Sequence, residues 1–365
     1  MKNKIPVENI EFYCATDITM DMHEILQKDP EIWDLFTRKE EYSSSFRDQY
    51  ERFPYYASSS RNVMDPRVSK YLINHGYHAE YPDEKPFAVC LTHDIDQIYT
   101  PLFPKAVDAM QHLRQGLLSE FTYSVGRMRS KKIPLWNFNE ILAIEEYYDA
   151  KSSFYFMAEN EGEEGYTYRI EDCVSALGDI IDHGSEVGLH GGHTCYNSSE
   201  EMKSKKKRLE KILNKKVIGY RNHFLRFKVP ETWEYLHEAG FLYDVTFGYA
   251  DHIGFRNGMC HPFKPFNLNT GKSIEILEIP LNLMECTFNL YMSLDTRRAW
   301  ELSKQLIDTV LQNNGVLTLL WHNIYFMGDQ RKLYEKILKY CAEKNAWMTS
   351  GEEILKWVNN SDRSC

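Results

Sequence analysis

The stretch Phe-Ala-Val-Cys-Leu-Thr-His-Asp-Ile-Asp at residues 87–96 has the length and composition of a buried strand, and it ends in two carboxylates. Charged groups are rarely buried without a partner, so Asp94 and Asp96 indicate a functional site rather than the end of a core element. If the backbone stays extended, Thr92, Asp94 and Asp96 share one face and His93 points the other way. Helix capping is the alternative for this segment alone, because Asp is a favoured cap.

The composition restricts the class of partner. The chain has 365 residues, 43% of them hydrophobic, which is enough for one large barrel or two ordinary domains. A net charge of -10 disfavours nucleic acids and anionic membranes, whose protein partners present basic surfaces. We therefore expect a small molecule or a carbohydrate as the partner.

The cysteines and the apolar segments restrict the compartment. The eight cysteines form no Cys-x-x-Cys pair and are interpreted as reduced thiols. No stretch has the pattern of a signal peptide or of a membrane span. We therefore expect a cytoplasmic protein without an integral membrane segment.

Strand-like and helical segments alternate after residue 85, which is typical of parallel βα units. Residues 1–85 show only short helical patterns, after Asp29-Pro30 and from Pro66 to Asn74, and are predicted to pack on the outside of a main domain at 86–365. The predicted strands cover 87–93, 152–158, 185–189, 216–220, 241–245, 274–279, 315–321 and 346–349. The predicted helices cover 138–149, 171–183, 199–213, 230–239, 296–313, 329–343 and 351–359.

Polar side chains follow several of these strands at the point where each strand ends. His190 follows one strand, and Arg221, Asp244 and His322 follow three others. In a (β/α) barrel the carboxyl ends of the strands form one rim, which carries the chemistry. A doubly wound sheet is the alternative, but it gathers functional residues only near its switch point and so explains fewer of them. No glycine-rich phosphate loop follows the first strand, which disfavours nucleotide binding.

The donor set expected at this rim suits zinc. Two imidazoles, from His190 and His193, with the carboxylate of Asp96 leave one coordination position for water. The neighbouring Asp94 is then free to act as a base toward that water, since a nearby cation makes water more acidic.

Two further residues complete the predicted acid–base set. His322 lies on a different strand and could protonate a leaving group from the other side. Arg221 would hold Asp94 ionised and oriented.

These ordered motifs resemble the polysaccharide deacetylases of carbohydrate esterase family 4 over roughly residues 86 to 357. The resemblance implies a distorted (β/α) barrel of seven or eight parallel strands, here with an N-terminal helical or irregular extension. It also implies one divalent metal, with zinc expected, and removal of acetyl groups from N-acetylated sugars. The roles that it implies are base for Asp94, metal ligands for Asp96, His190 and His193, support of the base for Arg221, and general acid for His322.

The motifs depart from the commoner family pattern at three places, one of which is the absence of the proline-rich continuation after Arg221, where Asn-His-Phe-Leu-Arg stands at 222–226. Ile95 separates the two aspartates, a spacing that some members share. Only two residues separate His190 from His193, where the usual pair is separated by three, so Asn197 or a water is the alternative second ligand. The stretch 243–251, with Gly-Phe-Arg at 254–256, resembles the fourth motif of a bacterial subgroup linked to surface-polysaccharide synthesis.

The expected function is that of a metal-dependent hydrolase that removes an N-acetyl group from a sugar in a glycan or a glycan precursor. Predicted substrate contacts are His223, Asp244, Arg256, His261, Glu285 and Trp321. A related amidase acting on a small non-sugar amide or imide is one alternative. A non-catalytic glycan-binding relative is another, although pure binding does not need an acid–base set.

Overall fold

A curled sheet of parallel strands forms the centre of the fold. The computed structural model describes residues 20–99 and 135–361. Its strands are β1 Ala88–Ile95, β2 Ser153–Met157, β3 Glu186–Gly191, β4 Gly219–Asn222, β5 Tyr243–Asp244, β6 Phe266–Asn267, β7 Lys272–Ser273, β8 Leu277–Glu278, β9 Leu283–Met284, β10 Val316–Leu320 and β11 Trp347–Thr349.

The strand order is that of a (β/α) barrel that opens at one seam. The nine-stranded sheet runs β8-β5-β4-β3-β2-β1-β10-β9, and β11 pairs with the first half of β1. Every pairing in this sheet is parallel, whereas β6 and β7 form a separate antiparallel pair. The consecutive strands β8 and β9 are the two edges, so the seam lies between them. The predicted distorted (β/α) barrel is confirmed.

Helices connect the strands and cover the outside of the sheet. The helices are α1 Met20–Leu26, α2 Pro30–Thr37, α3 Lys39–Ser43, α4 Arg67–Asn74, α5 Phe138–Tyr147, α6 Val174–Asp182, α7 Ser199–Leu213, α8 Glu231–Glu238, α9 Thr296–Gln312, α10 Gly328–Glu343 and α11 Gly351–Ser361. Side-chain caps start several of them: Asp29 accepts the backbone N–H groups of residues 31 and 32, and Asp295 accepts that of residue 298. Each predicted helix is present, with ends shifted by a few residues.

The register of the sheet brings the polar strand ends together. His190 in β3 lies beside Arg221 in β4, and Asp94 in β1 lies beside Tyr155 in β2. These positions lie at the carboxyl ends of adjacent parallel strands, so their side chains share one rim. Three of the five two-residue strands, β6, β7 and β9, were not predicted, because so short a strand shows no alternation of its own.

The segment that precedes the barrel is attached to it by a buried ion cluster. Arg38 donates to the carbonyl oxygen of Arg256 (2.9 Å), and both arginines donate to the carboxylate of Glu41 (2.8 and 2.6 Å). Burial would raise the pKa of Glu41, but Arg256 and Arg38 hold it below its usual value.

The division of the chain at residue 85 stays a prediction. Among the described residues, no helix combines the length and apolarity needed to cross a bilayer.

The buried cluster predicts a large effect of a single substitution on stability. Arg256→Met should lower the free energy of unfolding by roughly 3–5 kcal/mol, because it leaves the buried Glu41 carboxylate with one cation fewer. Urea unfolding at neutral pH measures this loss. Lys39→Met is the matched control, since Lys39 pairs with Asp34 on the exposed surface and should change stability by less than ~1 kcal/mol.

The same cluster sets the direction of a pH effect. Because the pKa of Glu41 is lowered in the folded state, its contribution is present above the unfolded-state pKa and is lost as the pH falls through the folded-state value. Arg256→Met should therefore flatten the acid side of the stability curve. Equal losses in Arg256→Met and Lys39→Met would show that the cluster does not anchor the segment.

Candidate metal and acid–base site

Three donor atoms from the ends of three strands converge at the rim. Asp96 follows β1, His190 lies in β3, and His223 follows β4. One ligand atom from each lies within 4.8 Å of the other two. The Asp96 Oδ1 atom is 3.3 Å from His190 Nε2 and 3.8 Å from His223 Nε2.

This donor group fits a divalent cation. The Oδ1 atom of Asp96 and the Nε2 atom of His190 are buried and have no hydrogen-bond partner among the described residues. Ligand atoms about 2.0–2.1 Å from a tetrahedral zinc ion lie roughly 3.3 Å apart, which is close to the separation of these two atoms. The Nδ1 atom of His190 is 3.1 Å from the carbonyl oxygen of Arg221, so Nδ1–H donates there and Nε2 is left to bind a cation.

The charges of the donor group balance one another. Burial would raise the pKa of Asp96, but His322, His190 and His223 hold it well below its usual range. Burial lowers the pKa of His223 to about 3, so its ring is neutral and can offer a lone pair. Burial would also lower the pKa of His190, but Asp94 and then Asp96 raise it, so a cation would compete with a proton for Nε2.

The structure places His193 outside this group, which therefore differs from the expected ligand set. β3 ends at Gly191, so the alternation that directs His190 inward no longer applies two residues later. The Nδ1 atom of His193 is instead 2.7 Å from the carboxylate of Glu164, and its carbonyl oxygen accepts a hydrogen bond from Arg226. The second imidazole of the group belongs to His223, which had been predicted as a substrate contact.

Asp94 and His322 face the donor group from two sides. The Oδ2 atom of Asp94 is 3.6 Å from His190 Nε2 and 3.9 Å from His322 Nε2. Asp94 is only 2% exposed, and its Oδ1 atom has no hydrogen-bond partner in the described parts of the chain. Its carboxylate is therefore free to accept a proton.

Glu285 orients the His322 ring. Its Oε1 atom accepts both the backbone N–H of His322 (3.0 Å) and the Nδ1–H of the ring (2.6 Å), which directs Nε2 toward the aspartates. Burial would lower the pKa of His322, but Glu285, Asp96 and Asp94 raise it to about 10. Glu285 had been predicted as a substrate contact, whereas it is fully buried and contacts His322.

Arg221 lies below the carboxylates rather than against them. Its Nη2 atom donates to Thr92 Oγ1 (2.8 Å), and the guanidinium lies 5.6 Å from the Tyr155 ring centroid. The described residues include no hydrogen bond between Arg221 and Asp94. Any support of Asp94 by Arg221 would therefore act through charge across the buried interior.

Two further predicted contacts are buried below the rim. Asp244 has no exposed surface and accepts hydrogen bonds from Thr246, and burial raises its pKa to about 6. Trp321 is also fully buried and packs on Tyr334. Neither side chain can contact a substrate in this arrangement, because neither reaches the pocket surface.

Two others lie away from the site. The backbone N–H of Val316 donates to the carbonyl oxygen of Cys260, which places the adjacent His261 at the amino end of β10, the opposite end of the barrel. His261 is buried there against Ser69 and the backbone of residue 314. Arg256 is buried in the ion cluster with Glu41. Neither His261 nor Arg256 is among the residues that line the pocket at Asp94 and Asp96, and their predicted substrate contacts stay predictions.

A pocket that is open to solvent has both aspartates among its lining residues. Its walls are mainly aromatic and aliphatic, with Tyr50, Arg52, Phe224, Leu225, Met284, Leu290, Tyr291, Leu320, Ile324 and Tyr325 around Asp94, Asp96, His223 and His322. Sequence reasoning missed Tyr50 and Arg52, because residues 1–85 carry no motif. The histidine that follows Arg221 and Asn222 at a strand end was the available signal for His223.

No family model matches the chain, and a search of curated proteins found no match. Among solved structures, a Mycobacterium smegmatis protein assigned as a polysaccharide deacetylase is 17% identical, with a TM-score of 0.53, over 78% of this chain and 93% of that chain. A peptidoglycan deacetylase from Bacillus subtilis is 14% identical, with a TM-score of 0.41, over 78% and 96%. A CE4 family pseudoenzyme from Bacillus anthracis is 13% identical, with a TM-score of 0.39, over 75% and 66%. The first likeness shows a shared fold; the other two are too loose to carry an argument.

The donor group predicts which histidines are needed for metal binding. Asp96→Ala, His190→Ala and His223→Ala should each weaken zinc binding by more than the ~10- to 100-fold that loss of an outer-shell partner costs. His193→Ala should leave the affinity almost unchanged. Elemental analysis and calorimetric titration of the metal-free protein measure both quantities. Loss of metal in His193→Ala with retention in His223→Ala would exclude the assignment.

Proposed function

We propose that the protein is a metal-dependent hydrolase of the carbohydrate esterase family 4 type, which removes an N-acetyl group from a sugar. The observation that supports this proposal is the position of Asp94 and His322. They face the Asp96, His190 and His223 donor group from two sides, at the base of one pocket. Hydrolysis of an amide needs a base for the water and an acid for the departing nitrogen, and this arrangement supplies both.

The metal would be held by Asp96, His190 and His223. When bound there, a divalent cation polarises the substrate carbonyl and makes water a better nucleophile. Zinc suits a set of two imidazoles and one carboxylate.

The chain's own residues carry the proton transfers. Asp94 accepts a proton from the attacking water through its unpartnered carboxylate. His322, held in a single orientation by Glu285, donates its Nε2 proton to the amine nitrogen as the C–N bond breaks. The buried Glu285 carboxylate stabilises the protonated form of the ring, so that the acid is ready before the substrate binds.

The pocket walls favour a carbohydrate as the substrate. The rings of Tyr291 and Tyr325, with the aliphatic side chains of the pocket, offer apolar surfaces on which a sugar ring can lie, and the acidic chain disfavours nucleic acid. The fold shared with a protein assigned as a polysaccharide deacetylase supports this choice by analogy. The link to surface-polysaccharide synthesis stays a prediction.

Substitution of Asp94 distinguishes a catalytic base from a metal ligand at this position. Asp94→Asn should keep its metal and lose about 100- to 10,000-fold in turnover, because the amide cannot accept the proton. Acetate release from a panel of N-acetylhexosamines, measured beside metal content, tests this. Asp329→Asn is the control, since Asp329 is an exposed residue in the first turn of α10. Activity on imides with none on acetylated sugars would instead identify a non-sugar amidase.

The effect of replacing His322 should depend on the leaving group of the substrate. His322→Ala should slow hydrolysis of an unactivated amide about 100- to 10,000-fold while having little effect on an acetyl ester whose leaving group needs no proton. Parallel assays of N-acetyl and activated O-acetyl substrates on the same metal-loaded protein measure the difference. Equal losses on both substrates would assign His322 to the ligand set or to packing.

A further inference from the structure

A short segment that precedes the barrel reaches the wall of the pocket. Arg52 is 7% exposed and donates to Asp48 Oδ2 (2.8 Å), to the carbonyl oxygen of Phe224 (3.0 Å) and to the hydroxyl of Tyr291 (3.2 Å). These contacts occupy the fork of N–H donors on the guanidinium. Arg52 thereby connects residues 48–52 to the turn that follows β4.

That turn has an unusual backbone. Phe224 and Leu225 both have positive φ angles, 59° and 54°, in the left-handed region that residues with a Cβ atom seldom adopt. A residue in this conformation is strained, and it persists only when its surroundings hold it. The carbonyl oxygen of Phe224, within this turn, is the acceptor for Arg52. The hydrogen bond therefore stabilises a conformation that the local sequence does not favour.

The rings of the same residues form a continuous stack. The Arg52 guanidinium lies 4.7 Å above the Tyr50 ring, Tyr50 lies 4.7 Å from Phe224 at 21°, and Phe224 lies 4.1 Å from the His223 ring at 21°. The stack thus ends on the imidazole whose Nε2 atom faces Asp96. Movement of Tyr50 or Arg52 would be passed directly to the orientation of His223.

We propose that Arg52 and Tyr50 are positioning residues for the candidate metal site, holding His223 in the orientation that completes the donor group. This inference rests on the proposed function, because it assumes that Asp96, His190 and His223 bind a cation. On this view metal affinity is set in part by a segment that lies outside the barrel.

The geometry disfavours a direct role of these two residues in substrate binding. The guanidinium of Arg52 and the ring of Phe224 both lie 4.7 Å from the centroid of the Tyr50 ring, so these two neighbours already occupy the stacking surface of Tyr50. The donors of Arg52 are already engaged with Asp48, Phe224 and Tyr291, so they are not free for an anionic substrate. Both residues are therefore better placed to hold the turn than to hold a ligand.

Calorimetric titration of the metal-free full chain with zinc tests the proposal. Arg52→Met should weaken zinc binding about 10- to 100-fold, as expected for loss of a residue that orients a ligand. Arg47→Met is the matched control: within the described residues Arg47, in the same segment, donates to the backbone of Ser44 and Phe46 and lies over the Phe53 ring, away from the turn at Phe224, so the affinity should not change. An unchanged affinity in Arg52→Met would overturn the proposal.

A double-mutant cycle asks whether Arg52 acts through His223. In a His223→Ala background, Arg52→Met should change the affinity by no more than about twofold, because the ligand that it orients is absent. The same 10- to 100-fold loss in both backgrounds would overturn the proposal. Absence of zinc binding by the wild type would overturn both this inference and the proposed function, whereas wild-type binding that does not depend on Arg52 would overturn this inference alone.

Milder variants keep the test valid if Arg52→Met does not fold. Arg52→Lys keeps the charge but cannot donate to Phe224 and Tyr291 from one planar fork, so zinc binding should still weaken. Tyr50→Leu should weaken zinc binding, whereas Tyr50→Phe, which preserves the stack, should bind zinc as the wild type does. In cobalt-substituted protein, the visible absorption spectrum should change in Arg52→Lys and Tyr50→Leu but not in Tyr50→Phe. Identical spectra in all variants would contradict a positioning role.

Discussion

Asp94 and Asp96 end the central strand β1 with their oxygens 3.3–3.9 Å from the imidazole nitrogens of His190, His223 and His322. Two carboxylates at the floor of one pocket repel each other unless positive charge lies beside them. His190 and His322 can supply such charge, because the carboxylates around them raise the pKa of both rings although burial alone would lower it, and a divalent cation would supply more of it. The identity of the residues at the rim follows from this need to balance negative charge.

The opposite face of β1 fixes where those carboxylates lie. His93, between Thr92 and Asp94 in sequence, points away from the pocket and makes a buried contact with Glu145 in α5 (2.8 Å), which also accepts a hydrogen bond from Tyr334 in α10. Strand alternation therefore gives β1 one face for the site and one for the helices. Because both faces make polar contacts, the strand cannot slide by one residue without breaking them all.

Strand alternation and strand ends are the properties that a sequence expresses locally, so Asp94, Asp96, His190 and His322 could be placed at one rim before the structure was known. The presence of His223 rather than His193 in the donor group could not be predicted in this way. It depends on where the chain turns after β3 and β4. A Cβ atom at Gly192 would collide with the Glu159 carboxylate, and the turn at Phe224 is held by Arg52, 172 positions away in sequence. Neither contact can be detected from the local sequence pattern.

The N-terminal segment acts at a distance because it is attached at two points. Arg38 and Glu41 hold it to the barrel at Arg256, and the segment then reaches the pocket, where Arg52 contacts the carbonyl oxygen of Phe224. Just beyond Arg52, the backbone N–H of Tyr55 also donates to the carboxylate of Asp251. Since the two attachments belong to one short piece of chain, loosening the first should displace the second. A segment without any catalytic motif can therefore control the geometry of a site to which it contributes no proposed metal ligand or acid–base group.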